Sequence, residues 1–416
     1  MNQPTGKIGQ EIPERALLEK LISKVRLNPG EYRTVAAMAA AAGVDLGRLE
    51  ELFRLHAHRA PEVFLDQARV GYACRRLLNH FGPTVQAGES CGFLSPAAFQ
   101  ASFHRLTGMT PGKYQSLGRE GASFTVDLPA GYRQEDVLAY HGRDPLSLSE
   151  RVEGATLFKA LRVEDTDTLL ELEFRGKAVK VRVRPAEKAD PIFMGKVHHR
   201  VVRMLGLGTD PAPFEGNACA DPSFQALVEA RRGLRIPLTA DVWESLVWAI
   251  LGQQVNLAFA YTLRRRLTDL CGGAVSGGLK AHPTPGAVAA LDPADLAPLQ
   301  FSRSKAEYVV EAARAVAAGE LPVEALPAGA APTAEARLSA RRGIGPWTTH
   351  YVMMRGCGFG DCVPLGDAGL TAALQRHYGL DHRPDAKETA RLMAPFAPHR
   401  SLATFHFWAS LKGVPA

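Results

Sequence analysis

The 416-residue sequence predicts a mainly α chain with a small α+β domain set between two helical regions. Three observations carry this. An internal repeat with an offset of 50 residues marks a double helix-turn-helix domain near the start. Period-two alternation then marks a small antiparallel sheet domain. From Ile192 onward the apolar spacing is helical and runs into a Gly-x-Gly turn at Gly343-Ile344-Gly345, so this last part reads as all-α.

Residues 1–14 read as a loose tail and residues 15–118 as the repeat domain. Val35, Asp45, Leu49, Phe53, Pro61 and Phe64 recur as Val85, Ser95, Phe99, Phe103, Pro111 and Tyr114. In the first copy, Thr34–Ala42 is an Ala-rich helix, Gly43-Val44-Asp45 supplies the turn and N-cap, and Leu46–His56 is the second helix. In the second copy, Cys91-Gly92-Phe93 turns, Ser95 caps, and Pro96–Leu106 is helical. Val85-Gln86-Ala87-Gly88-Glu89-Ser90 is a poor helix, with a glycine inside it and an added negative charge.

Gly118–Ser123 is a short polar linker. Residues 123–191 form the sheet domain: Phe124–Leu128, Thr156–Val163, Thr168–Phe174 and Ala178–Val183 alternate as strands, broken by Gly and charged turns. Residues 192–416 are helical, interrupted by Pro/Gly/Ala-rich loops at Gly272–Pro285 and Leu321–Pro332.

Within that last region, two glycines flank one apolar residue, a pattern that permits positive φ and brings backbone N–H groups close to a partner. Pro346 suits the first turn of a following helix, whose unpaired donors and positive dipole end form a ready phosphate site. On Gly-x-Gly alone an ordinary tight turn between helices is the favoured reading, since short glycine motifs are common. Asp367 follows 20 residues after Trp347. It reads as the N-cap of a helix over Ala368–His377, or as a carboxylate that stabilises a developing cation; the two are compatible.

Composition sets outer limits. A net charge of +6 and a pI near 9.0 suit a polyanionic partner. Arg264-Arg265-Arg266 reads as a phosphate contact or as a solvated helix face. Six scattered Cys give neither a disulfide ladder nor metal-ligand spacing, so no metal and no cofactor are expected. Met1–Lys20 lacks an apolar core and no apolar run is long enough to span a bilayer, so the expected location is cytoplasmic, away from membranes.

Residues 337–416 resemble the helix-hairpin-helix DNA glycosylase superfamily, whose Leu-x-x-x-x-Gly-Ile-Gly-x-x-Thr motif and following Asp are matched by Leu338, Gly343, Ile344, Gly345, Thr348 and Asp367. Bifunctional members carry a Lys where this chain has Trp347, so the resemblance implies a monofunctional enzyme without Schiff-base chemistry. No Cys follows Cys362, so the four-Cys iron–sulfur loop of another branch is missing. The AlkA type, a 3-methyladenine glycosylase, fits best, and the resemblance extends over roughly residues 123–416. Trp243 through Val255 matches its helix and Leu-Gly-Gln turn, Ser302-Arg303-Ser304-Lys305-Ala306 its Ser-x-x-Lys-Ala segment, and His399-Arg400-Ser401 with Trp408 its closing segment.

This resemblance implies excision of alkylated purines from double-stranded DNA, with Asp367 catalytic. It implies a base pocket from Trp347, Tyr351, Trp408 and Tyr140, a phosphate-binding hairpin at Gly343, Ile344, Gly345 and Thr348, and Gln254 as the wedge that fills the vacated stack. Any one of those rings taken alone reads as a core aromatic, and Gln254 also reads as a turn residue satisfied by backbone.

The N-terminal repeat resembles AraC-type activators, through Cys91-Gly92-Phe93, Phe99, Phe103, Gly108, Thr110-Pro111 and Tyr114. That implies Arg48, Ser95, Ala98 and Gln100 as groove-facing residues, with promoter DNA and RNA polymerase as partners. The combination is similar to bacterial adaptive-response proteins without their Cys-zinc sensor domain. Two other arrangements stay open: a regulator whose glycosylase domain is inactive and only binds damaged DNA, and an enzyme whose repeat domain is a nonspecific DNA tether.

Overall fold

The computed structural model describes residues 8–79, 82–219 and 222–411. The repeat domain comprises α1 (Ile8–Leu27), α2 (Val35–Ala42), α3 (Leu46–His56), α4 (Pro61–Asn79), α5 (Thr84–Ser90), α6 (Pro96–Thr107) and α7 (Pro111–Gln115). Thr34, Asp45, Ser95 and Thr110 each accept a backbone N–H three residues on, so α2, α3, α6 and α7 are side-chain capped as their sequences dictate. The loose tail is corrected in part: residues 1–7 lie outside the described residues, while Ile8 onward is helical because α1 buries Leu18, Leu21, Ile22 and Val25 against Met38, Leu49, Phe53 and Phe64.

The poor helix is also corrected. Thr84–Ser90 is helical, and Gly88 is what lets it pack. A Cβ there would stand 2.7 Å from Phe99 Cδ1 and Cγ, so the residue that weakens the helix alone permits its contact with α6.

Five strands follow: β1 (Ser123–Asp127), then, after α8 (Gln134–His141), β2 (Glu150–Glu153), β3 (Thr156–Val163), β4 (Thr166–Arg175) and β5 (Ala178–Arg184). They form one antiparallel sheet in the order β1-β5-β4-β3-β2. The four expected strands are present; β2, whose Glu-Arg-Val-Glu sequence is mostly charged, was not legible. The buried face of the sheet packs on α9 (Pro191–Met204) through Phe193, Met194, Val197 and Val201. The expected boundary at 191 therefore falls within one core.

That core also takes in Phe99, Phe103 and Tyr114 of the second helix-turn-helix unit. Tyr114 meets His198 edge-on at 5.0 Å, and His198 Nε2 lies 2.8 Å from Thr107 O. Gly118, at φ +74°, sits so close to Asp190 that a Cβ would lie 2.4 Å from its carbonyl carbon. The polar linker thus joins two parts that share apolar packing.

The helical region contains α10 (Ala212–Cys219), α11 (Pro222–Glu229), α12 (Val242–Gly252), α13 (Leu257–Cys271), α14 (Pro285–Ala289), α15 (Arg303–Ala317), α16 (Ala331–Ser339), α17 (Pro346–Val352), α18 (Ala368–Tyr378), α19 (Ala386–Met393) and α20 (Arg400–Ser410). Helix α12 is its axle: every residue from Val242 to Leu251 is buried. A charged cluster locks α12 and α13 to the sheet. Lys159 Nζ lies 3.1 Å from Glu150 and 2.7 Å from Glu244, while Arg264 reaches the same two carboxylates at 2.8 and 2.7 Å. The arginine run is therefore no phosphate patch: Arg264 is buried in this cluster, Arg265 pairs with Asp144, and Arg266 donates to Leu299 O and Gln300.

Among the described residues, no helix is long and apolar enough to cross a membrane.

Candidate active site

The hairpin between α16 and α17 needs its first glycine twice over. Gly343 has φ +80°, and a Cβ would lie 2.2 Å from Tyr308 Cγ. Gly345 is the exposed N-cap residue of α17, with Pro346 at the first turn. Ile344 and Thr348, expected at a phosphate, are buried, at 4% and 2% exposure. Their side chains turn inward: Ile344 anchors the hairpin in the core, and the Thr348 hydroxyl accepts from Gln253 Nε2 at 2.9 Å.

Gln253 also donates to Gly343 O at 2.8 Å, so the turn after α12 and the hairpin are one hydrogen-bonded unit. Lys305 reinforces it by donating to Ile250 O at 3.2 Å and to Gln253 O, and burial lowers its amine to about 8. The next residue, Gln254, is exposed at φ +52°, and its side chain has no hydrogen-bond partner among the described residues. The backbone-satisfied turn therefore does not hold for Gln254, which projects free beside the hairpin.

Asp367 caps α18, accepting from Leu370 N at 2.7 Å. Its two oxygens also accept from two indoles, Oδ2 from Trp347 Nε1 at 3.0 Å and Oδ1 from Trp408 Nε1 at 2.8 Å. The cap and the cleft residue are thus one carboxylate, half-buried, with neutral donors as its hydrogen-bond partners. Trp347 stacks on Tyr351 at 5.4 Å and 27°, and Tyr351 meets Trp408 at 6.2 Å, so three expected pocket rings form one surface beside Asp367.

Tyr140 reaches the same cleft from α8. The guanidiniums of Arg143 and Arg355 lie 3.8 and 4.1 Å from its ring centroid. Burial alone would raise its hydroxyl, but Arg143 and then Arg355 outweigh this and hold it below the ordinary tyrosine value. Burial raises Tyr351 to about 12.

Sequence reasoning missed four residues of this cleft: Trp248, Tyr261, Arg143 and Arg355. Trp248 stacks on Tyr261 at 5.1 Å and 26°, extending the aromatic wall. Its position three residues before the Leu-Gly-Gln turn was the available signal, hidden in an apolar run. Nothing local marks the two arginines, which long-range packing brings to the site.

In the repeat domain, Ala98 and Gln100 are exposed on α6, whereas two other groove candidates are engaged. The Ser95 hydroxyl is the helix cap, accepting from Ala98 N at 3.2 Å. Arg48 is corrected from exposed to half-buried and ion-paired with Glu14 of α1 and Glu51.

A hairpin tied to a turn with a free side chain, beside an aromatic cleft holding an oriented aspartate, defines a class: enzymes that excise bases from DNA. Residues 247–398 match the family described as HhH-GPD superfamily base excision DNA repair protein, residues 38–116 a helix-turn-helix domain, and residues 127–241 the AlkA N-terminal domain. The chain is 30% identical to the DNA-3-methyladenine glycosylase of Bacillus subtilis over 294 residues, covering 69% of this chain and 96% of the relative. It is 34% identical over 394 residues to a probable bifunctional transcriptional activator/DNA repair enzyme AlkA of Mycobacterium tuberculosis, covering 91% and 77%. A 3-methyladenine DNA-glycosylase structure from Archaeoglobus fulgidus shares the fold at TM-score 0.62 and 21% identity, over 70% of this chain and 98% of that one. The chain belongs to the HhH-GPD superfamily, as an AlkA-type DNA glycosylase fused to an AraC-type helix-turn-helix domain.

Proposed function

We propose that this protein releases alkylated purines of the 3-methyladenine type from double-stranded DNA by hydrolysis, with Asp367 as the catalytic carboxylate. One observation carries the reading: an aspartate aimed by two indole donors in a cleft of stacked aromatics. An alkylated purine is cationic and leaves readily, so the enzyme need supply little acid catalysis. As the N-glycosidic bond breaks, its electrons go with the base and positive charge builds on the sugar. Asp367 stabilises that charge, and water then adds at the sugar carbon and loses a proton. The rings of Trp347, Tyr351, Trp408 and Tyr140 hold the flipped base, Gln254 fills the stack, and the N–H groups around Gly345 meet a phosphate. Trp347 has no amine, so the reaction ends at an abasic site.

The test compares free-base release from methylated duplex DNA by the intact protein and Asp367→Asn, with binding to an abasic-site duplex in parallel. Release by the first alone, with binding kept by both, is expected; no release by either overturns the reading.

For the helix-turn-helix domain, the exposed Ala98 and Gln100 support promoter reading through α6, with RNA polymerase recruited at that promoter. Footprinting on the protein's own upstream DNA is expected to protect a defined site, and loss of that site in Gln100→Ala assigns the contact.

A further inference from the structure

The aromatic cleft already contains a cation supplied by the chain. Arg143 follows α8 and is anchored by donating from Nη1 to Tyr140 O at 2.9 Å. Its guanidinium lies 3.8 Å from the Tyr140 ring centroid and 5.4 Å from that of Trp248. Trp248 in turn stacks on Tyr261. Burial raises the hydroxyls of Tyr351 and Tyr261, and in both the charge of Arg143 works against the rise, so the guanidinium acts on both walls. The neighbouring carboxylates are engaged elsewhere. Asp144 pairs with Arg265, and Glu150 with Lys159, Arg264 and His141. Arg143 has no ion pair within contact distance among the described residues; it touches the Tyr140 and Trp248 rings, the Tyr140 carbonyl and the Tyr261 hydroxyl.

A second cation reinforces the effect. Arg355 is 1% exposed, lies 4.1 Å from the Tyr140 centroid and 5.2 Å from that of Phe405, and hydrogen-bonds the Tyr140 side chain. A base stacked on Tyr351 and Trp347 therefore enters beside a fixed positive charge.

Resting on the glycosylase reading above, we propose that Arg143 is a specificity residue. It narrows the preference for cationic alkylpurines over neutral purines that accept a hydrogen bond at O6. The physical reasons are two. Like charges in a desolvated cleft repel, which weakens the hold on a cationic base. A guanidinium N–H donates to a carbonyl oxygen, which strengthens the hold on a neutral oxopurine.

The experiment uses the full chain and two duplexes alike except for one base, 7-methylguanine as the cation and hypoxanthine as the neutral purine. Single-turnover release is measured for wild type, Arg143→Met and Arg143→Lys. Arg143→Met keeps the bulk and removes the charge, and is expected to raise the ratio of 7-methylguanine to hypoxanthine release about tenfold. Arg143→Lys keeps the charge and is expected to hold the ratio within about twofold of wild type. Binding to an abasic-site duplex reports folding, and Arg143→Gln carries the same expectation if the Met variant loses it. An unchanged ratio in the neutral variants, or an equal change in Arg143→Lys, overturns the inference while leaving the glycosylase reading standing. Release of neither base by wild type overturns that reading itself.

Discussion

Glu244 and Asp367 are carboxylates of the same helical region given opposite surroundings. Glu244 is buried and meets two cations, Lys159 and Arg264, each shared with Glu150. Burial would raise its pKa, but Lys159 and then Arg264 outweigh that and hold it at about 2. Asp367 is half-buried and hydrogen-bonded by two neutral indoles and a backbone N–H. Cations neutralise a carboxylate and tie it to the fold, whereas N–H dipoles orient it and leave its charge available to a developing positive centre. The neighbours of a carboxylate, more than its burial, separate a charge tied into the fold from the one proposed as catalytic.

The widest gap between the two should appear in rate. Asp367→Asn is expected to slow single-turnover base release about a thousandfold. Because Asn caps helices as well as Asp, its melting temperature should stay within about 2 °C of wild type. A large drop in melting temperature would break the contrast. Glu244→Ala is the mirror experiment. It leaves Lys159 and Arg264 buried with a single carboxylate and is expected to cost about 3 kcal/mol in denaturant unfolding. Base release per folded molecule should remain within about twofold of wild type, since Glu244 has no part in the cleft.

A smaller effect sharpens the role of the indoles. Trp408→Phe keeps a ring in the wall but removes one donor to Asp367, and is expected to lower release about tenfold, the size of one hydrogen bond to a charged group. The smallest effect is that of pH on stability. Glu244, and Glu150 with it, titrate lower in the folded state than in the unfolded chain. Their stabilisation is therefore fully present above the unfolded carboxylate value of about 4.3 and is lost as pH falls from there toward 2. The melting temperature should accordingly fall through that window, and Glu244→Gln should make the fall shallower.

Much of the fold was legible because it rests on local chemistry. Asp45, Ser95 and Asp367 cap helices where their types and flanking patterns place caps, and β3 begins and ends where alternation does. The hairpin and the expected catalytic aspartate were legible by spacing, and so were the rings of Trp347 and Tyr351, four residues apart on α17. Gly88 was misleading for a physical reason: helix propensity concerns the isolated segment, while its value lies in the space left for Phe99. Strand β2 escaped notice because two of its four residues are glutamates, one of them buried against Lys159 from the next strand and Arg264 from α13.

The sequence by itself determined the order of elements, their caps and turns, the repeat, and the residues that carry the family resemblance, because each depends on neighbours within one or two helical turns. Tertiary structure decided what those residues touch. It directed Thr348 to Gln253 rather than outward, tied Arg48 to Glu14, freed Gln254, and joined the second helix-turn-helix unit to the sheet. It also brought Arg143, Arg355 and Trp248 to the cleft of Asp367 from elements far apart in the chain. Such contacts depend on how apolar surfaces stack and where buried charges find partners, which no local pattern encodes.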